Sequence, residues 1–339
     1  PVGWSKLAVF NVEPTGAVVE DDGGNVVLTI DPAQIRAMGT DEASQDPAWQ
    51  VDFSELDSPG RYVLTGGGAE SDPFTIGAGI YATALQASLK QFYFQRTRTA
   101  LSRPYAVWKG DEFLREGVSH VHDDVGWDMK HYPDKKPEHK WKPEGGWHDA
   151  GNYDIYVPSE APTAMALLMS YEARPDVFPD EHTNIPESGN GVPDILDEAR
   201  WGIRWVLSMQ EPDSGAFRVR ETVMTQGEVG NTPADEDRTV RWIDDVGSAS
   251  TAKGCALAAQ AARVYEQHDA GFAKQNEQAA RRAWAWLEQH PERVMPELQG
   301  DARHNPWLVW DDGEKVDSDF GARFMAAVEM WRTFRLTEA

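Results

Sequence analysis

Nine consecutive residues, Gly145-Gly146-Trp147-His148-Asp149-Ala150-Gly151-Asn152-Tyr153, hold the densest collection of chemical groups in the chain. A glycine-rich backbone presents aromatics, a histidine and a carboxylate just ahead of a helical pattern. An acid beside tryptophan in such a loop can hold a water molecule and take a proton from it. The same residues also suit a plain turn, because aspartate bonds its own backbone two residues on. With 56 acidic residues in the chain, many aspartates do only that. On these residues alone, chemistry and capping both stay open.

The second signal is tryptophan, present 14 times. Trp284, Trp286 and Trp331 sit at helical spacing among apolar residues and read as core. Trp141, Trp147, Trp242, Trp307 and Trp310 sit among Gly, Pro, Asp and His, as loop residues do. Loop tryptophans suit the stacking of sugar rings, whose apolar faces pack on indole, although large aromatics also serve as packing.

Charge narrows the partners further. Against 32 Lys and Arg stand 56 Asp and Glu, a net charge of −24. Such a field repels nucleic acid and anionic membrane surfaces and leaves a neutral ligand unaffected. Hydrophobic residues make up 40% without a long apolar run, so a soluble protein with no membrane span is expected. The single cysteine, Cys255, lies in an alanine-rich stretch. It can form no internal disulfide and fills no cysteine-rich zinc site; a small buried helix residue is expected. The chain starts at Pro1 with no basic-then-apolar leader, so the residues themselves do not decide export.

The elements that must position these groups fall into two styles. Roughly the first 75 residues read as short strands, Leu7 to Val12, Val26 to Ile30, Trp49 to Phe53 and Arg61 to Leu64, separated by turn residues. Their spacing predicts a small sandwich. At Gly77 the period changes, and Tyr81, Leu85, Leu89 and Phe92 form one helical face. A long irregular stretch from Arg103 to Trp147 follows, of the kind that is usually functional. Helical patterns then cover Thr163 to Tyr171, a helix opened by Pro193, Ser250 to Tyr265, Phe272 to Leu287 and Phe320 to Phe334. About six helices arranged as hairpins, with no strand signal between them and no fixed repeat, predict a toroid or solenoid of helix pairs. The division predicted is residues 1–77 and 78–339.

Longer motifs give a family resemblance. Gly146-Trp147-His148-Asp149-Ala150-Gly151-Asn152-Tyr153 closely resembles the G-W-x-D-A-G-D-(Y/F) signature of family 9 glycoside hydrolases. Asn184 to Glu198, reading NIPESGNGVPDILDE, is similar to that family's N-I-P-E-S-x-N-x-x-P-D-I-L-D-E stretch. Phe92 to Arg96, Ala258 to Tyr265 and Asp319 to Glu329 resemble helices of its barrel, and the strands before them resemble its immunoglobulin-like module. The resemblance runs along essentially the whole chain in order.

It implies an immunoglobulin-like β-sandwich (residues 1–77) followed by an (α/α)6 barrel, of which residues 78–339 supply about the first half. It also implies inverting hydrolysis of β-1,4-glucans such as cellulose, in a secreted or periplasmic protein. In that mechanism a carboxylate base activates water while a carboxylic acid protonates the leaving oxygen. Both aspartates of D-A-G-D hold the water and the second is the base. Here the first is Asp149 and the second position is Asn152. An amide orients water but cannot take its proton. Three readings stay open: a disabled, sugar-binding protein; Asp149 acting as base itself; or a subgroup with altered substrate, such as an exo-acting glucosidase or glucosaminidase. Nothing before Ala339 matches the family's general-acid glutamate, so the chain is expected to be an N-terminal portion that cleaves nothing alone and awaits the other half of its barrel.

Trp147, His148, Tyr153, Tyr156 and Trp242 are the candidate substrate-binding residues. No cofactor is required. Zinc is not expected, because Thr97 and Ser119-His120-Val121-His122 lack the cysteines of relatives that carry it, leaving His122 and His148. Asp244-Asp245 and Asp311-Asp312 are the candidate calcium positions, solvated acidic turns being the alternative.

Overall fold

A computed structural model of the chain describes residues 1–115, 117–119, 125–151, 153–223, 232–296 and 318–335. It divides into two units, Pro1–Leu85 and Gln86–Ala339.

The first unit holds eight strands, β1 (Leu7–Phe10), β2 (Val18–Asp21), β3 (Val26–Thr29), β4 (Ile35–Thr40), β5 (Pro47–Asp52), β6 (Gly60–Gly66), β7 (Ala69–Glu70) and β8 (Phe74–Ile76). They form two antiparallel sheets, β1-β5-β4 and β3-β2-β6-β7, with β8 also pairing β6. Alternation along β6 turns Tyr62 and Leu64 inward, where they meet Phe10, Val19, Val51, Phe53 and Ile76. The Tyr62 hydroxyl donates to the carbonyl of Ser58 at 3.0 Å, tying the strand to the corner before it in the manner of immunoglobulin-like sandwiches. Asp21 accepts from the backbone N–H groups of Gly23 and Asn25, both at 2.9 Å, and so closes the β2–β3 turn.

In the second unit the described residues contain six α-helices, α1 (Ala82–Gln95), α2 (Val157–Ala173), α3 (Asp194–Ser208), α4 (Ser248–Tyr265), α5 (Ala270–Gln289) and α6 (Phe320–Phe334). The division between the units falls within α1. Five follow the predicted apolar patterns closely. The exception, α2, starts six residues before Thr163 because Pro158, in its first turn, gives up only an N–H that the helix does not use. Small residues along α4 allow close approach, and α4 packs against α2, α3, α5 and α6. Cys255 is buried there with its thiol pKa pushed up by burial. No described helix is long and apolar enough to cross a membrane.

The expectation that no strands intervene between helices is corrected. A hairpin of β9 (Val107–Trp108) and β10 (Asp111–Glu112) lies in the long irregular stretch. A five-stranded sheet, in the order β12-β11-β15-β14-β13, is built from β11 (Gly126–Asp128), β12 (Lys140–Trp141), β13 (Ile155–Tyr156), β14 (Arg220–Thr222) and β15 (Arg241–Ile243). Strands of two or three residues are too short to show a period of two, and several of these carry charged residues such as Arg220, Glu221 and Arg241. The sheet matters for the site. Strand β13 directly follows the glycine-rich loop and runs into α2.

Candidate active site

The loop from Gly145 to Gly151 is strapped down on two sides before it reaches Asp149. Gly145 and Gly146 take φ of 72° and 91°, a left-handed backbone that favours glycine. A methyl at Gly145 would sit 2.2 Å from the Trp201 carbonyl oxygen. The Gly146 N–H donates to the Trp201 carbonyl and the Trp201 indole N–H donates back to Gly146 O, both at 3.0 Å, fastening the loop to α3. From the end of α1, Thr97 donates its N–H to Gly146 O (2.9 Å) and its hydroxyl to Gly145 O (2.7 Å).

Trp147 is the pin of this arrangement. Its indole N–H donates to Glu198 Oε1 (2.9 Å) and its backbone N–H to Glu160 Oε1 (3.0 Å). Its six-membered ring lies on Gly202, and Phe92 packs against it at 5.0 Å. Glu198 also receives Arg96 through Nε and Nη2, while Arg96 reaches Glu187 with Nη1 and Nη2, both at 3.0 Å. Burial works against the Arg96 charge, but Glu198 and Glu187 outweigh it and hold its pKa above the usual value. Glu160 is fully enclosed, and burial raises its carboxyl pKa well above normal.

The expected sugar-stacking role of Trp147 is therefore corrected, since only 4% of the residue is exposed and no ring face is free. Trp242 is corrected on the same ground. It is also 4% exposed and packs from strand β15 with Met129 and Tyr132. Glycines around Trp147 and the paired acids after Trp242 read as loops in sequence, but the slots that bury them come from distant residues.

Gly202 offers a direct check. In mid-helix, alanine normally gains up to ~1 kcal/mol over glycine. Here the added methyl would lie 2.3 Å from Trp147 Cζ3, inside the indole. Gly202→Ala is expected to lower stability by ~1–3 kcal/mol, read as a lower melting temperature; a gain would show that the slot is not rigid.

Beyond Trp147 the side chains turn outward. Asp149 is exposed, its backbone N–H donating to Asp154 O at 3.3 Å, and shielding by the surrounding loop raises its carboxyl pKa above the ordinary value. His148 is half-buried, its N–H bonded to Gln95 O at 2.9 Å and its ring tilted against Tyr153 at 4.9 Å. Tyr153 holds φ of 59°, an uncommon conformation for a residue with a Cβ, and its hydroxyl donates to Thr232 O at 2.8 Å. Asn152 lies outside the described residues. His148 and Tyr153 thus pack together next to exposed Asp149 in the chain, whereas half-buried Tyr156 directs its hydroxyl to Asp154 at 3.1 Å.

Asp154 is a group that sequence reasoning missed. It is fully buried at the start of β13 and accepts from the Thr222 hydroxyl (2.6 Å), the Val223 N–H (3.2 Å) and Tyr156. Arg241 approaches at 3.4 Å and is itself paired with Asp237 at 2.6 Å. Burial outweighs these donors and pushes the Asp154 carboxyl up to about 6. Folding therefore takes up a proton at this group between about pH 4 and 6, so its contribution is most favourable below 4 and is lost as pH rises through 6. From pH 4 to 7 the wild type should lose about 2 kcal/mol relative to Asp154→Asn, measured as unfolding free energies of both proteins at each pH. Parallel curves would show an unshifted carboxyl. The one sequence hint was an acid inside a short β-branched and aromatic run.

Of the two candidate calcium positions, Asp244-Asp245 does not fit a metal. Asp244 is buried against Arg220, and Asp245 pairs with Lys130 at 2.7 Å, so arginine and lysine already supply the positive charge. Asp311, Asp312, His120, His122, Trp307 and Trp310 lie outside the described residues, among which no group of three metal-ligating side chains occurs.

Comparison with known proteins places this geometry. Residues 81–337 match glycosyl hydrolase family 9, and residues 2–71 match the cellulase N-terminal ig-like domain. Endoglucanase C of Cellulomonas fimi is 30% identical over 97% of this chain and 30% of its own length. Endoglucanase D of Acetivibrio thermocellus is 30% identical over 97% of this chain and 49% of its own length. The chain thus spans about half or less of these relatives. The crystal structure of the GH family 9 endoglucanase J30 superposes with a TM-score of 0.78 at 29% identity, covering 98% of this chain and 59% of that one. The agreement extends from the sandwich through α6, and on it the chain belongs to glycosyl hydrolase family 9.

Proposed function

We propose that this protein hydrolyses β-1,4-glucosidic bonds of cellulose or a related β-glucan with inversion, and that Asp149 is the carboxylate that activates water. The observation carrying this is the contrast at the loop: Trp147 is locked by Glu160 and Glu198 while Asp149, two residues on, is exposed with a raised pKa. A base benefits from a fixed position and from a pKa nearer the working pH. The six helices then form one half of the twelve-helix barrel, and a carboxylic acid matched to no residue here protonates the leaving oxygen. Secretion or periplasmic export fits a polysaccharide substrate. His148 and Tyr153, near Asp149 in the chain, contact the sugar.

Asn152 favours one alternative, a glucan-binding protein without turnover, because an amide cannot serve as the base. The full-length protein incubated with soluble β-1,4-glucan separates the two. Released reducing ends that first appear as the α-anomer by proton NMR support the proposal, and β-anomer overturns inversion. Retained glucan affinity without release, in the native protein and in Asn152→Asp, gives the binding reading. Exclusive release of single terminal residues would instead assign an exo-acting glucosidase or glucosaminidase.

A further inference from the structure

A concavity of about 820 Å³ lies between the C-terminal half of α3, the start of α5 and strand β12. None of the described residues from Trp147 to Tyr156 lines it. Its walls carry Lys140, Lys142, Arg200 and Arg204 against two carboxylates, Glu144 and Asp269. Asp269 is already committed, pairing with Arg200 Nη1 at 2.9 Å and capping α5 through the Phe272 N–H. Among the described residues, Lys142 and Arg204 have no carboxylate partner. This is unusual in a chain of net charge −24, and five of its eleven lysines fall between residues 130 and 142. Such a hollow attracts an anion where the rest of the surface repels one.

Trp141 makes the site more than a charge. Its indole N–H donates to Ser208 O at 2.6 Å, and the Arg218 guanidinium packs on the ring at 4.4 Å. The ring is thus fixed in plane, and its remaining half-buried surface lines the cavity. A fixed indole beside cations matches a pyranose that bears a carboxylate. Arg200, which also lines the cavity, is clamped over Phe272 at 4.6 Å. The volume falls in the range of pockets for small ligands, room for roughly two or three sugar rings.

We propose that this cavity binds an acidic saccharide, one sugar stacked on Trp141 and its carboxylate held by Arg204 and Lys142. The site is separate from the Asp149 loop, and its failure would leave the hydrolytic proposal untouched. A long polyanion is disfavoured because its flanking charges would meet the acidic surface.

Calorimetric titration of the full-length protein with three probes tests this: a glucuronic-acid-bearing cello-oligosaccharide, neutral cellotriose and inorganic phosphate. The acidic sugar should bind more tightly than either other probe, and more weakly as salt rises. Arg204→Gln combined with Lys142→Gln should weaken it roughly tenfold or more. Both side chains are exposed, so the variant should fold as the parent does. Trp141→Phe should weaken the acidic sugar while leaving phosphate unchanged. The proposal is overturned if the acidic sugar does not bind, if the double substitution leaves its affinity unchanged, if cellotriose matches it, or if phosphate matches it and Trp141→Phe has no effect.

Discussion

Asp149→Asn should lower reducing-end release by the full-length protein roughly 10²–10⁴-fold, with little change in KM. The amide keeps the size and the hydrogen-bonding capacity of the carboxylate but cannot take the water's proton, so the loss falls on the chemical step. The loop should hold its shape, because its fastenings run through Gly145, Gly146 and Trp147 rather than through Asp149. The raised Asp149 pKa adds a pH signature. Activity should fall with acid at a higher pH than an ordinary exposed aspartate would give, since protonation removes the base. A rate within a few-fold of the parent would rule Asp149 out as base and return attention to position 152. There Asn152→Asp, which restores the second carboxylate, should increase turnover if the family's usual base position is still served by the surrounding residues.

Arg96→Met carries the largest expected loss of stability. Arg96 is 1% exposed and is the cation for Glu198, also 1% exposed, and for Glu187. Removing one partner of a buried pair costs about 3–5 kcal/mol, because the stranded charge cannot regain water. Here two carboxylates lose their partner together. A melting temperature lower by roughly 10 °C or more is expected for a unit of this size. Arg96→Lys should recover only part of it, since an ammonium cannot span both carboxylates as the planar fork does. Calorimetric scans of the three proteins decide the matter, and a loss under about 1 kcal/mol would mean that the network acts like a solvated surface pair.

Much of this was legible in sequence. The helices showed because their apolar stripes repeat over three or four turns, as in α3 and α5. The loop showed because Gly, Trp, His and Asp are unusual neighbours. The short strands β11 to β15 and the groups that lock the loop did not show. Arg96 meets Glu198 across 102 residues and Arg98 meets Glu221 across 123, and local spacing carries no trace of such pairs. At the start of α3, Asp194 accepts from the Ser188 hydroxyl at 3.0 Å and Glu198 holds the pin, partners that the spacing within the helix does not announce. Tryptophan misled for the same reason. Composition marked Trp147 and Trp242 as loop residues, but exposure depends on what the fold lays over them.

Helix α3 sets the phase of the whole loop. Glu198, Trp201, Gly202 and Trp205 recur every three or four positions along one stripe, and each touches the loop: Glu198 and Gly202 at Trp147, Trp201 and Trp205 at Gly146. From the first to the last they span roughly 10 Å of helix. A residue inserted between them would rotate everything downstream by about 100°, taking Trp201, Gly202 and Trp205 off the stripe at once. Length changes in this protein should therefore be excluded from α3 and gather in connections such as the one between β11 and β12. Substitutions along this stripe of α3 should be tolerated less well than those in the exposed connections.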